Sequence, residues 1–238
     1  MIYFRFLFLK KNDKINMKES DYMKDKFNLT LEENVFLAKK QLVSSIYMGA
    51  KIEGLNVTFP ETQTILDGVN VPNVKLDEIN TILNLRDAWK YVLDNIKEEV
   101  TLDFILKVNS YVSRNESLSW GELRTGNVGI SGTDYIPKIP EENVVKEDIK
   151  NILEISDITL RSIKYMLYGM RNQLFWDGNK RTSMIIANKI MIMNGKGIIL
   201  VKDDDLLEFN KLLTEYYTTG VDIKIIEFLY NKCVYGLE

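Results

Sequence analysis

Apolar residues recur at helical spacing along most of this chain, and side chains that cap helices stand where the recurrences begin. Thr30, with Glu33 three residues later, makes a capping box ahead of Val35, Leu42, Val43, Ile46 and Ala50, which predicts a helix over about 31–52. Thr58 and Glu61 repeat the signal, with Pro60 tolerated in a first turn, before a short helix that stops near Asp67-Gly68. Between the two lies "KIEGLNVT", a tight glycine-containing connection. Ile79, Ile82, Leu83, Trp89, Val92 and Leu93 form a third stripe, and Phe104, Ile105, Val108, Tyr111 and Val112 a fourth behind the N-cap Thr101.

The pattern returns with Val145, Ile149, Ile152 and Leu153, then with Leu160, Ile163, Met166, Leu167 and Met170. It runs on through Ile185, Ile186, Ile190 and Met193 to a C-cap at Asn194-Gly195. Two last helices, about 204–218 and 221–234, follow from Leu206, Phe209 and Leu212 and from Ile225, Phe228 and Leu229. From Trp120 to Pro140 the character differs: Gly121, Gly126, Gly129 and Gly132 interleave with Val128, Ile130 and Tyr135, which reads as a hairpin. The class expected is all-α with one small β-hairpin flap, built as a domain over 31–238 behind an extension over 1–30. The opening MIYFRFLFLKK reads as an appended strand, or as an upstream-start extension with Met17 as the true start; a cryptic signal sequence is the remaining reading.

Charge narrows the partners. Lys and Arg total 31 against 34 Asp and Glu, a net of −3, so there is no global basic field to hold nucleic acid. The opening apolar run is too short to span a bilayer, so no membrane is expected. The single cysteine, Cys233, excludes an internal disulfide framework, and the absence of histidine leaves no zinc-ligand spacing. A reducing cytoplasm fits best.

One string carries chemistry: "NQLFWDGNKRTS", Asn172 to Ser183. Gly178 permits a sharp turn and Asn179 can cap, so the amides of Lys180, Arg181 and Thr182 would lie unpaired at a helix N-terminus, a ready anion site. Lys180 and Arg181 add positive charge where the macrodipole disfavours it, which suits a bound phosphate chain. From this string alone, an ordinary interhelical turn with its cations in water reads equally well.

The string resembles the signature of the Fic (Fido) family, H-P-F-x-[DE]-G-N-[GK]-R, which Phe175, Asp177, Gly178, Asn179, Lys180 and Arg181 match. Two further segments are similar to the same family in the same order. "GELRTGNVGISGTDYIPKIP", Gly121 to Pro140, resembles the flap before the motif, and "KIEGLNVTFPETQTILDG", Lys51 to Gly68, the segment bearing the family's inhibitory glutamate, here Glu53. The resemblance implies ATP as nucleotide, with Gly178, Asn179, Lys180, Arg181 and Thr182 around its phosphates and Asp177 holding Mg²⁺. It implies a Ser, Thr or Tyr hydroxyl of a target protein as acceptor of AMP, docked by strand-like pairing along Ile130, Ser131, Gly132, Thr133, Asp134 and Tyr135. A homo-oligomer is left open.

Four positions depart from the family pattern: Gln173, Leu174 in place of the signature's proline, Met184 and Gly49. Gln173 stands where the resemblance puts the histidine base, and a neutral amide can hydrogen-bond a hydroxyl but does not take its proton near pH 7. A polar residue closing a helix is the plain alternative for it. Met184 replaces a second arginine, and with Lys180 this resembles the Doc branch, in which phosphate rather than AMP is transferred. Gly49 replaces the Ser or Thr of the inhibitory motif, so three roles stay open to Glu53: occupying the γ-phosphate position, pairing with Arg181, or serving as a surrogate base. The expected functions are therefore an AMP or phosphate transferase with an altered base, or a nucleotide-binding pseudoenzyme. Tyr216 and Tyr217 read either as neighbours of the nucleotide base or, by their spacing, as core.

Overall fold

Both capping boxes form. Thr30 Oγ1 accepts the Glu33 amide at 3.2 Å while Glu33 Oε2 accepts the Thr30 amide at 2.8 Å, and Thr58 and Glu61 do the same at 3.3 and 2.8 Å. The computed structural model describes residues 24–117 and 119–237. The helix expected over 31–52 is two, α1 (Leu31–Lys40) and α2 (Leu42–Ile52), broken at Gln41 (φ −96°, ψ 10°). Burial accounts for the break. Helix α1 buries a narrow face of Asn34, Leu37 and Ala38, whereas α2 buries the continuous run Ser45 to Ala50, so one straight amphipathic stripe cannot serve both.

The rest follows the apolar stripes: α3 (Phe59–Leu66), α4 (Leu76–Asp94), α5 (Leu102–Val112), α6 (Glu142–Leu153), α7 (Ile158–Asn172), α8 (Asn179–Met193), α9 (Asp203–Thr219) and α10 (Ile223–Cys233). Helix α8 is the axis. It is buried without interruption from Arg181 to Ile192 and touches α1, α2, α4, α5 and α7. Its tightest neighbour is α7, where Gly169 faces Ser183: a Cβ there would lie 2.2 Å from Ser183 Oγ, so only glycine permits the crossing.

Lys189 of α8 is wholly buried, its Nζ donating to Asn95 O at 2.8 Å and Ile96 O at 3.0 Å just past the end of α4. Burial pushes its amine down to about 8, opposed by Glu98. Tyr216 and Tyr217 are buried in the core.

The observed sheet lies elsewhere than expected. Strands β1 (Ile198–Ile199) and β2 (Val234–Tyr235) pair antiparallel, and the side chain of Asn188 brackets Ile199 with bonds of 2.8 and 2.9 Å. Over 120–140 no strand forms among the described residues. The expected turn is there, Thr133 N donating to Ile130 O at 3.2 Å with Gly132 at φ +81°, but its arms find no ladder partner in each other. Residues 24–30 lie along the domain, Leu29 N donating to Gly195 O at 2.8 Å and Thr159 N to Asp25 Oδ1 at 2.9 Å. The readings of MIYFRFLFLKK and of Met17 fall outside the described residues. No helix among those described is long and apolar enough to cross a membrane.

Candidate active site

The site is the joint between α7 and α8. Helix α7 ends on Gln173, which takes the left-handed conformation (φ +47°) with its amide on Gly169 O. Its side chain turns inward: Nε2 donates to Met170 O at 2.6 Å, and Oε1 accepts from Asn179 Nδ2 at 3.1 Å. Asn179 in turn accepts from Phe175 N at 2.9 Å and donates to Phe175 O at 2.8 Å. The cap of α8 is Gly178 rather than Asn179; the buried side chain of Asn179 instead ties the loop back on itself through Phe175.

Gly178 is required twice over. Its φ is +71°, and a Cβ would meet Ser113 Oγ at 2.3 Å and Val112 at 2.8 Å. From the α5 side, Ser113 Oγ and Asn109 Nδ2 donate to the carbonyl of Asp177 at 2.9 and 3.1 Å. Nothing local marked Asn109 or Ser113 as site residues; they lie more than sixty residues away from the motif. Asn109 also reaches Thr182 Oγ1 at 3.2 Å, and the Thr182 amide donates to Gly178 O at 2.8 Å. Thr182 is thus turned into the core with its amide used, which removes it from the anion site expected on the sequence. The amides of Lys180 and Arg181 have no partner among the described residues.

Arg181 is 3% exposed and ringed by carboxylates. Its Nη1 donates to Glu116 Oε2 at 2.6 Å, and Asp177 Oδ2 lies 3.3 Å from Nη2. Glu53 Oε1 lies 3.3 Å from Nε, an ion pair without hydrogen-bond geometry, so the Nε–H is a buried donor with no acceptor. Burial acts to lower the guanidinium's pKa, but Glu53, Glu116 and Asp177 outweigh it and the net direction is upward. The other oxygen of Glu53 is 3.3 Å from Lys180 Nζ, which also donates to Ile52 O at 2.7 Å. Of the three roles open to Glu53, pairing with Arg181 is the one the geometry displays.

Met184 is buried, and the cavity it lines with Gly49 and Arg181 measures only about 10 Å³, room for one water at most. At Gly49 a Cβ would stand 3.3 Å from Leu85 of α4, tighter than an ordinary contact.

The flap is joined to this turn by Arg124, another residue not singled out from the sequence. Its side chain, 1% exposed, donates to the carbonyls of Gln173, Gly126 and Lys138, and its amide donates to Leu174 O at 3.0 Å. With no carboxylate beside it, burial pulls its pKa down. Trp176 lies against Gly126, where a Cβ would stand 2.6 Å from the ring. Beyond, residues 125–135 alternate between exposed and half-buried, and among the described residues their main chain makes no main-chain bond outside the turn at Ile130–Thr133. Tyr135 stacks on Arg171, 3.8 Å from guanidinium carbon to ring centre. Ile130 packs on the core, while Ser131, Gly132 and Asp134 are exposed.

Asp177 accepts the Gly178 amide at 2.6 Å and is 39% exposed, an open carboxylate next to the cationic turn. No cluster of three or more metal-ligating side chains exists among the described residues. That donor set fits magnesium, which binds through one or two carboxylates together with substrate phosphates, and not a metal caged by protein alone.

The architecture is a helical domain with a basic, glycine-turned helix start facing an extended flap. A profile of the Fic/DOC family matches residues 99–191. A protein adenylyltransferase Fic of Nematostella vectensis is 26% identical over 188 residues, which cover 74% of this chain and 44% of that protein. One of Drosophila erecta is 27% identical over 202 residues, 79% and 40% of the two chains. Among solved structures, Fic-1 from C. elegans superimposes with a TM-score of 0.70 at 21% identity, covering 82% of this chain and 62% of that one. A Fic domain containing signaling protein from Bacteroides thetaiotaomicron gives 0.68 at 16% identity, covering 85% and 86%. Residues 99–191 are thus similar to the Fic/DOC family, and the chain has the fold of the solved Fic structures. It spans less than half the length of these curated relatives.

Proposed function

We propose that this domain binds Mg·ATP at the start of α8 and transfers AMP to a hydroxyl of a target protein laid along the flap, the new bond to the α-phosphorus replacing its bond to the departing pyrophosphate, and that Glu53 holds it latched. The observation that carries the reading is the Glu53 carboxylate, which divides its oxygens between Lys180 and Arg181: an anion already stands in the cradle. A phosphate brings the same charge and the same acceptor geometry, and could in addition take up the free Arg181 Nε–H and the unpaired amides of Lys180 and Arg181. Asp177 would hold the magnesium, which would neutralise phosphate charge when bound. The main chain of 125–135, which outside Gly126, Ile130, Thr133 and Tyr135 makes no hydrogen bond among the described residues, supports docking of an extended target segment by strand addition.

Transfer requires the acceptor hydroxyl to lose its proton, and no histidine exists in the chain to take it. Gln173 has both ends of its amide engaged inside the turn, which favours a second reading, nucleotide binding with little or no turnover. Calorimetric titration with Mg·ATP of the parent, Glu53→Gly and Arg181→Ala tests the cradle, and ATP labelled separately at the α and γ positions tests transfer. Loss of binding in Arg181→Ala supports the cradle; undetectable binding in Glu53→Gly sinks it. Label from the α position supports AMP transfer, label from the γ position alone supports the Doc-like phosphate reaction, and binding without label supports the second reading.

A further inference from the structure

The shortest ion pair of Arg181 is made by a residue outside every motif. Glu116 lies in the turn after α5, behind Asn115 at φ +63°, with its amide on Ser113 O at 3.0 Å. One carboxylate oxygen accepts from Arg181 Nη1 at 2.6 Å; the other accepts from Asn84 Nδ2 at 2.9 Å. Asn84, buried in α4, is itself fixed by Arg114, donating to its carbonyl at 2.8 Å and accepting from its Nη2 at 3.0 Å. Arg114 is held in turn by Asp87 at 2.8 Å. Glu116 is thus built into the scaffold from both sides.

The other two carboxylates around Arg181 differ in kind. Glu53 stands at 3.3 Å from each of two cations, and Asp177 at 3.3 Å and 39% exposed. Under the function proposed above, on which this inference rests, Glu53 withdraws when phosphate enters and Asp177 turns to magnesium. Glu116 is the counter-charge that stays, and a guanidinium buried this deeply cannot stand without one. Its grip is also selective. With Nη1 taken by Glu116 and by Val112 O at 3.3 Å, the edge toward the turn is Nε, which has no acceptor, and Nη2, which donates to Asp177 Oδ2 at 3.3 Å and is released when Asp177 turns to magnesium; together they are the side-on pair that matches two oxygens of a phosphate.

We infer that Glu116 is a positioning residue for nucleotide binding, which by fixing Nη1 of Arg181 aims the Nε–Nη2 edge at the phosphate. It acts through Arg181 and has the opposite sign to Glu53: one carboxylate builds the phosphate contact and the other competes with it.

The test is Mg·ATP titration of the full chain in the Glu53→Gly background, with thermal melting to confirm folding. Glu116→Gln, nearly isosteric, is expected to weaken binding at least about tenfold, as removal of a charged partner does, and Glu116→Asp to recover part of the loss. In Glu53→Gly/Arg181→Ala, adding Glu116→Gln should change nothing further, a coupling that a merely structural role would not produce. If Glu116→Gln leaves affinity within twofold or tightens it while Arg181→Ala weakens it, positioning by Glu116 is wrong and the phosphate reading of Arg181 survives. Equal losses from Glu116→Gln with and without Arg181 also overturn the inference. If Arg181→Ala has no effect, the phosphate contact itself fails and the inference falls with it.

Discussion

Glu53 stands between Lys180 and Arg181, 3.3 Å from Nζ of the one and 3.3 Å from Nε of the other. The resemblance implied a second arginine as its partner, and Met184 occupies that position, buried beside a cavity that holds no more than a water. The ion pair has been rebuilt one turn earlier on the helix. Lys180, whose Nζ also takes the Ile52 carbonyl at the end of α2, replaces part of what the missing guanidinium would supply.

Glu53→Gly is therefore expected to raise Mg·ATP affinity by about tenfold or more, since a ligand that must displace a competing contact of about 1.4 kcal/mol loses that factor. Calorimetry on the parent and variant reads it directly. Unchanged affinity would mean that the carboxylate does not compete with phosphate.

Gln173→His in the Glu53→Gly background is expected to create or raise transfer of α-label to protein by about 10²- to 10⁴-fold, the range a positioned base supplies. Scintillation counting of protein after incubation with α-labelled ATP measures it. The histidine must accept a left-handed backbone, which Gln173 already tolerates at φ +47° and which His adopts more readily than most residues.

Gly178→Ala should destabilise the fold by about 2–5 kcal/mol, combining left-handed strain of about 1–2 with overpacking of about 1–3. The clash falls on Ser113 Oγ at 2.3 Å. Urea melts of this variant, and of Gly178→Ala/Ser113→Gly, test the cause: relief of part of the loss in the double variant is expected.

Lys189 gives a pH dependence. Its folded pKa, about 8, lies below that of a free lysine, so between pH 8 and about 10.5 the unfolded chain binds more protons than the folded one. Stability contributed by this site is least below pH 8 and rises as pH climbs through that window, by at most about 1.4 kcal/mol per unit. Chemical denaturation of the parent and Lys189→Met from pH 7 to 10 should show the parent gaining on the variant as pH rises; a constant difference would place the amine's pKa near normal.

Local chemistry was legible in the sequence. Thr30, Thr58 and Thr101 cap helices through residues three positions on, a distance set by the helix itself, and each was read correctly. The motif's glycine could likewise be read as a turn. The hairpin failed for the opposite reason: glycine and alternation mark extended chain, but whether a partner strand exists is decided by the rest of the fold, and the pairing that forms joins Ile198 to Tyr235. Asn109, Glu116 and Arg124 were invisible because their roles depend on contacts across 49 to 73 residues of chain. The break at Gln41 belongs with them, since neither half-stripe shows by itself that the two must bury against different neighbours.

Arg124 has one consequence beyond holding the flap in place. A single guanidinium grips carbonyls on both sides of the groove, Gln173 on the motif turn and Gly126 and Lys138 on the flap. The two segments are therefore tied together: any displacement of the flap backbone at Gly126 or Lys138 would pull, through Arg124, on the main chain of Gln173. The position of the flap and the geometry of that turn are joined in one mechanical element, with Arg124 as its axle.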